Sequence, residues 1–279
     1  MSANFEIVPA VDISFDEQAR VANEAFAGYV GSWHEMDAAA IGRFLMLQGA
    51  DLSYSRFARV NGELAGFGYI ARVGNVLRLA GMAIIPSARG SGVAGYLLSH
   101  LFEEARANRD ATMMLEVIEQ NPRAIALYRR HGFREITRLV GWRRKPDDGR
   151  ERTGDVGRLS EIAVLDALHT PSARDYPDIP LQISRHAVAK VAKTRAFQHG
   201  TVRVIISDPE TPPVRVHSVF STGGNWDELR AAVDAVMTRF ANLEFFAPPV
   251  WPEEFGANVF EPLGFAREPI TQFLMRCDF

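Results

Sequence analysis

The sequence holds a single cysteine, Cys277, in 279 residues. That excludes an intramolecular disulfide and any multi-cysteine metal site. Its place just after the apolar run Phe273-Leu274-Met275 favours a buried structural thiol over a nucleophile. The histidines His100, His169, His186, His199 and His217 show no metal-ligand spacing, so no metal is expected. Charge of one sign is also missing: 31 Lys and Arg against 34 Asp and Glu leave a formal charge of −3. No basic face is demanded, and nucleic acid is not expected as a partner. Phosphate is still permitted as a ligand, because backbone N–H groups hold it without net positive charge. Long apolar runs are absent, and Met1–Ile7 lacks a basic segment followed by an apolar one. A soluble cytoplasmic protein with no membrane partner is the expectation; monomer and homodimer both stay open.

What is present is an ordinary globular composition, 47% hydrophobic and 23% charged, at a length comfortable for two domains. Phe5–Val11 suits a strand. Ser14 and Glu17 form a capping box ahead of Phe15, Ala19, Ala22 and Phe26 at helical spacing. A second helix is expected from about Asp37 to Leu47. Strands follow at Leu52–Val60, Leu64–Val73 and Val76–Ile85, separated by the hairpin dipeptides Asn61-Gly62 and Gly74-Asn75. Gly90–Ala107 reads as a helix, Thr112–Ile118 as a strand, and Asn121-Pro122 as the cap and first residue of another helix. Gly132 stops that helix, and Phe133–Trp142 returns as a strand.

From Arg143 to Arg158 the chain is charged and aperiodic, the best candidate for a linker. Beyond it, helices are expected over Leu159–Leu168 and Ile183–Thr194, and strands over Ala196–Ile206 and Val214–Phe220. A helix opened by Asn225 and a last strand Phe265–Cys277 complete the reading. Tyr128, Gly132 and Phe133 recur 132 residues later as Phe260, Gly264 and Phe265. With the matching element order, this reads as a tandem duplication.

Chemistry concentrates at Pro86–Gly95, between a strand and a helix. Glycine lets the backbone turn sharply and approach a ligand, and N–H groups of such a turn converge on one concavity at a positive helix end. The letters Gly90-Ser91-Gly92-Val93-Ala94-Gly95 also fit a dinucleotide fingerprint. However, the strand before them follows antiparallel hairpins, and no second parallel unit continues. On the glycines alone, a phosphate cradle and a plain tight connection stay equally open.

Arg89-x-x-Gly92-x-Ala94, after a strand and Pro86, resembles the first signature of the GNAT acetyltransferase superfamily. Asn121-x-x-Ala124-x-x-Leu127-Tyr128-x-x-x-Gly132-Phe133 resembles its second. The likeness covers residues 1–144; the second half resembles a degenerate copy. It implies an α/β (α+β) fold of two GNAT-like domains in tandem. Each would be a mixed, mostly antiparallel sheet flanked by helices, at 1–144 and 159–279 with a linker at 145–158. It also implies acetyl-CoA as co-substrate and acetyl transfer to a primary amine, on a small molecule or a peptide.

The resemblance further implies that the strand Val76–Ile85 splays from Thr112–Ile118, freeing main-chain groups of Met82, Ala83 and Ile84 for the pantetheine arm. The N–H groups of Gly90, Ser91, Gly92, Val93, Ala94 and Gly95 would hold the pyrophosphate, and the Ile84 N–H the oxyanion. Tyr128 is either the acid for the leaving thiolate or a packing residue. Arg89 either contacts phosphate or caps the turn. Asn121 orients cofactor or helix and is at least an N-cap. Glu116 is either a water-relayed base or an exposed strand residue. Trp33, His34 and Glu35 either line the acceptor site or form a solvated loop. His131 reads as a charge complement at a helix end. Phe260 cannot donate a proton and Thr222–Asn225 lacks the glycine spacing, so one active site is expected. The rival reading is a catalytically idle acyl-CoA sensor or scaffold.

Overall fold

The computed structural model describes residues 3–28, 34–146, 154–169, 179–189, 191, 193–223 and 225–279. The chain forms two compact units: Met1–Glu135 with Leu274–Phe279, and Ile136–Phe273.

The first unit runs β1 (Phe5–Pro9), α1 (Phe15–Phe26), α2 (Ala38–Gln48), β2 (Ala50–Val60), β3 (Glu63–Val73), β4 (Val76–Ile84), α3 (Val93–Ala107), β5 (Thr112–Ile118) and α4 (Pro122–Arg130), ending in the start of β6 (Arg134–Arg144). This is the expected element order. The Ser14/Glu17 capping box is formed, with the Glu17 N–H donating to Ser14 Oγ at 3.3 Å. Strands β1 to β4 pair antiparallel in sequence order, whereas β4 and β5 run parallel. Leu97, Leu98 and Leu101 of α3 are buried on the sheet, each stabilising by roughly 1.5–3 kcal/mol. α3 lies so close to β3 that a Cβ on Gly68 would sit 2.8 Å from Leu101. The unit is completed by the end of the strand β12 (Ala266–Asp278). There the Phe279 N–H donates to the Ala111 carbonyl at 3.1 Å and Thr112 Oγ1 donates to Asp278 Oδ1 at 3.0 Å.

The second unit holds the rest of β6, then β7 (Leu159–Ile162), α5 (Val164–His169), α6 (Arg185–Val188), β8 (Thr194–His199), β9 (Val202–Ser207), β10 (Val214–Ser221), α7 (Trp226–Arg239), β11 (Phe245–Pro252) and most of β12. Its strand order is β12-β6-β11-β10-β9-β8-β7, with β10 and β11 parallel. Leu229, Val233 and Val236 of α7 pack against Val202, Val204 and Val214 of the sheet.

The sequence reading needs three corrections. Leu159–Leu168 is not one helix. Leu159–Ile162 is a strand on β8, where Glu161 pairs with Arg195, and the helix begins at Val164. Ala196–Ile206 is not one strand but a hairpin turning at Gly200, whose φ is 59°. Ile183–Thr194 is not one helix: α6 is Arg185–Val188, and Thr194 already begins β8. The two compact units divide between Glu135 and Ile136, and β6 pairs with β11 within the second. Residues 147–153 of the expected linker, and 190 and 192 of the expected helix, lie outside the described residues. Among the described residues, no helix is long and apolar enough to cross a membrane.

Candidate active site

β4 and β5 pair over only four residues each, Val76–Leu79 against Thr112–Leu115. Beyond Leu79, β4 continues along β3 alone. Ala80 is an extra residue between the Ile70/Leu79 and Tyr69/Gly81 partners, a bulge that bends the strand where the two part. The Ile85 N–H donates to the Ala65 carbonyl at 2.9 Å. In an antiparallel ladder, residues alternate between facing the partner and facing away. Ile84 and Met82 therefore turn their main-chain groups to the β5 side, into the split, whereas Ala83 turns its own to β3. Of the three residues expected there, Ala83 does not present its backbone. The Ile84 carbonyl accepts from Arg89 Nε at 3.1 Å, so the N–H is the group Ile84 has to offer.

The turn that follows is built on Gly90 and Gly92, with φ of 83° and 98°. Gly92 is the N-cap of α3 and supplies no side chain, so the helix starts uncapped. Ser91 Oγ accepts a long hydrogen bond from the Val93 N–H at 3.3 Å; those of Ala94 and Gly95 stay directed outward. A Cβ on Gly90 would meet nothing within 4 Å. Positive helix end, exposed donors and open space together make an anion cradle.

Arg89 does not point its charge at that cradle. Its Nε binds the Ile84 carbonyl and its Nη2 the Ala25 carbonyl at 2.7 Å, bracing the end of β4 against the end of α1. Asn121 caps α4, its Oδ1 accepting from the Ala124 N–H at 3.2 Å. Tyr128, on that helix, is buried edge-on against Phe133, with ring centroids 5.7 Å apart. His131 closes the helix: its Nδ1 donates to the Leu127 carbonyl at 2.9 Å. Its ring lies 3.6 Å from the position a Cβ on Gly95 would take, an ordinary contact distance.

Glu116 is not an exposed strand residue. Its Oε2 accepts from Arg78 Nε at 2.8 Å, and both side chains are only 4% exposed. Arg78 also reaches Gln48 Oε1 at 3.1 Å. Among the described residues, Glu116 Oε1 is buried with no hydrogen-bond partner. Sequence reasoning missed Arg78 and Gln48. The available signal was a lone charge in the apolar run Val76-Leu77-Arg78-Leu79, since a buried charge requires a partner. Of the acceptor candidates, Trp33 lies outside the described residues, and His34 and Glu35 are exposed. Glu35 lines an open recess with Asp16, Arg20, Asn23 and Asp37, and the Asn23 amide ties the neighbouring Met36 backbone to α1.

The second unit differs at each corresponding point. Phe260 is fully buried among Trp142, Trp251, Phe255 and Phe265. Asn225 Oδ1 accepts from the Glu228 N–H at 3.0 Å, so α7 is capped by its own chain. Gly224 of the preceding turn lies outside the described residues.

Residues 19–133, which contain the split strands, the glycine turn and Tyr128, match the acetyltransferase (GNAT) family. The match covers residues 19–133 of the 279, and over them this chain is similar to GNAT acetyltransferases. It is 38% identical over 77 residues to the ribosomal protein bS18-alanine N-acetyltransferase of Escherichia coli (strain K12), 28% of this chain and 52% of that protein. The chain thus spans about half the length of the curated relatives it matches. A GCN5-related N-acetyltransferase from Sphaerobacter thermophilus superposes with a TM-score of 0.65 at 15% identity, covering 98% of this chain and 95% of that one. A tandem GNAT protein from the clavulanic acid biosynthesis pathway gives 0.60 at 14%, covering 99% and 98%. At such identity these two likenesses speak for the fold alone.

The GNAT family, whose model matches residues 19–133, implies an acyl-CoA co-substrate. The residues present fit one: an uncapped helix end for phosphate oxygens, and a strand edge with main-chain groups turned outward for an amide-bearing arm.

Proposed function

We propose that the first unit moves an acetyl group from acetyl-CoA to a primary amine, which attacks the thioester directly. The observation that carries this reading is the parting of β4 from β5 after Leu79, leading straight into the uncapped start of α3. The Met82 and Ile84 main chains pair with the pantetheine arm as an added strand would. The N–H groups from Gly90 to Gly95 hold the pyrophosphate. The Ile84 N–H faces the thioester oxygen and stabilises its developing charge, while Arg89 holds the Ile84 carbonyl of the following peptide. Tyr128 gives its proton to the departing thiolate. Asn121 anchors the helix that carries Tyr128. Glu116, paired with Arg78, takes the amine's proton through water at Oε1, its uncommitted oxygen.

The acceptor is an amino group on a peptide or small molecule, approached past His34 and Glu35. The named activity of the Escherichia coli relative, on an alanine of a ribosomal protein, supports putting peptide amino termini first. The second unit, with Phe260 in place of a phenol and a self-capped α7, performs no transfer.

Thiol release should be measured against a panel of short peptides and amine metabolites, with acetyl-CoA binding measured in parallel. Turnover with at least one amine is expected. Tight acetyl-CoA binding without turnover on any acceptor would sink the enzyme reading and leave an acyl-CoA sensor.

A further inference from the structure

Leu79 gathers with Leu97 and Leu101 of α3 around Gly68, so its neighbour Arg78 turns to the opposite face of the sheet. Across the parallel step Arg78 pairs with Met114, and Glu116 follows two residues on, on that same face. Glu116 is the first residue of β5 beyond the last partnered position, Leu115. It therefore stands where β4 and β5 part.

The Arg78 guanidinium is held from two sides. Nε donates to Glu116 Oε2, while both Nη groups go to one residue: Nη1 to the Gln48 main-chain carbonyl at 3.3 Å and Nη2 to Gln48 Oε1 at 3.1 Å. Gln48 is the last residue of α2, whose C-cap is Gly49 with φ of 66°. A helix carbonyl at that end carries partial negative charge and favours a cation. A planar fork anchored to a helix end cannot swing, so it also fixes which carboxylate oxygen it takes. Stability alone is a poor account of the pair, since apolar side chains of similar volume often serve a buried position as well. Arg72 and Asp110 make a similar pair, with Asp110 Oδ2 likewise unused, but ahead of the first partnered residue of β5, Thr112. Of these two pairs, only the one at Glu116 stands at the split.

We propose, on the reading of Glu116 as the base, that Arg78 and Gln48 are positioning residues for the transfer. Arg78 occupies Oε2 and holds the carboxylate in one orientation, so that Oε1 is the oxygen left for the amine's proton. Gln48 holds Arg78 in turn, which ties the base to the end of α2. Neither residue touches the acyl group or the cofactor; both act through Glu116.

A double-mutant cycle on the full chain tests this, reading kcat and KM from steady-state thiol release with an amine that turns over. Glu116→Gln should lower kcat about 10²-fold. Arg78→Met should lower kcat roughly tenfold or more while leaving the KM for acetyl-CoA little changed. In the Glu116→Gln background the same change should cost nothing further, because residues that act through one group are not additive. Gln48→Met keeps the main-chain carbonyl and should give a smaller loss in the same direction; it carries the cycle if Arg78→Met does not fold. Full kcat in both Arg78→Met and Gln48→Met, beside an impaired Glu116→Gln, overturns the positioning roles alone. So does an equal loss from Arg78→Met with and without the Glu116 carboxylate, and full kcat in Gln48→Met alone strikes out Gln48. A parent chain that turns over no amine, or full kcat in Glu116→Gln, overturns the base reading and the proposal together.

Discussion

Tyr128 and Phe260 show how far a single position can be read. They occupy the same place before a Gly-Phe turn, and both are buried among aromatic rings, so packing alone would not tell them apart. Only the phenol differs. With Tyr128 as the acid, Tyr128→Phe should lower kcat roughly 10²-fold while leaving the KM for acetyl-CoA little changed. Steady-state thiol release gives both constants; a fall in kcat/KM arising from KM alone would return Tyr128 to a packing role. His217 carries a second prediction. Its folded pKa of about 4 lies below the unfolded value near ~6.5. The unfolded chain binds the extra proton between those values, so stability is full above about pH 6.5 and falls as pH drops toward 4. The loss should total roughly 2–3 kcal/mol and vanish in His217→Phe, as read by urea unfolding at a series of pH values. Glycines and caps were legible because their chemistry is local. Arg78 was not, because its partners Glu116 and Gln48 come from other elements and only register brings them together.

The two long helices that follow glycine turns differ most at their first residues. α7 satisfies its own start with Asn225, whereas α3 begins at a glycine that offers nothing. A helix end left open in this way is less stable than a capped one by about 1 kcal/mol, and correspondingly better at receiving an anion. Gly95→Asp separates the two effects. A Cβ at that position meets only the His131 ring at ordinary contact distance. A carboxylate in the first turn suits the helix dipole, and losing a helical glycine stabilises further. The melting temperature should therefore hold or rise, while affinity for CoA falls at least tenfold; calorimetry of both quantities on one sample decides it. Element order in the first unit was readable because turns and caps punctuate it cleanly, from Asn61-Gly62 to Asn121-Pro122. Leu159–Leu168 misled because the strand Leu159–Ile162 is four residues long and runs almost directly into a helix. Too few residues alternate there for period two to outweigh the helical pattern that follows.

On the scale of the whole molecule, the two compact units divide between Glu135 and Ile136, ahead of the charged stretch after Arg143. Partners define that border, and β6 finds its partner in β11. The same holds at the other end, where Leu274–Phe279 join the first unit. Asp278 accepts from Thr112 and pairs with Arg134, and Phe279 packs on Phe102 with centroids 5.1 Å apart. Phe279→Ala should lower the stability of the first unit by roughly 1–3 kcal/mol. A chain ending at Phe273 should lose acetyl-CoA binding, although no residue proposed to touch the cofactor has been removed. Calorimetric unfolding with and without CoA would show both; unchanged CoA binding in the shortened chain would make the terminal residues dispensable.

That arrangement also sets a timetable. A ribosome finishes Glu135 long before it reaches Leu274, and at ~5–20 residues per second the intervening stretch takes roughly 10–30 s to make. Throughout that interval the first unit has its helices and four of its strand pairings but not the segment that lies beside β5. The nascent chain thus carries an open, apolar strand edge, the kind of surface that other chains and chaperones bind. Synthesis rate, and not only sequence, should govern how much of this protein is recovered folded.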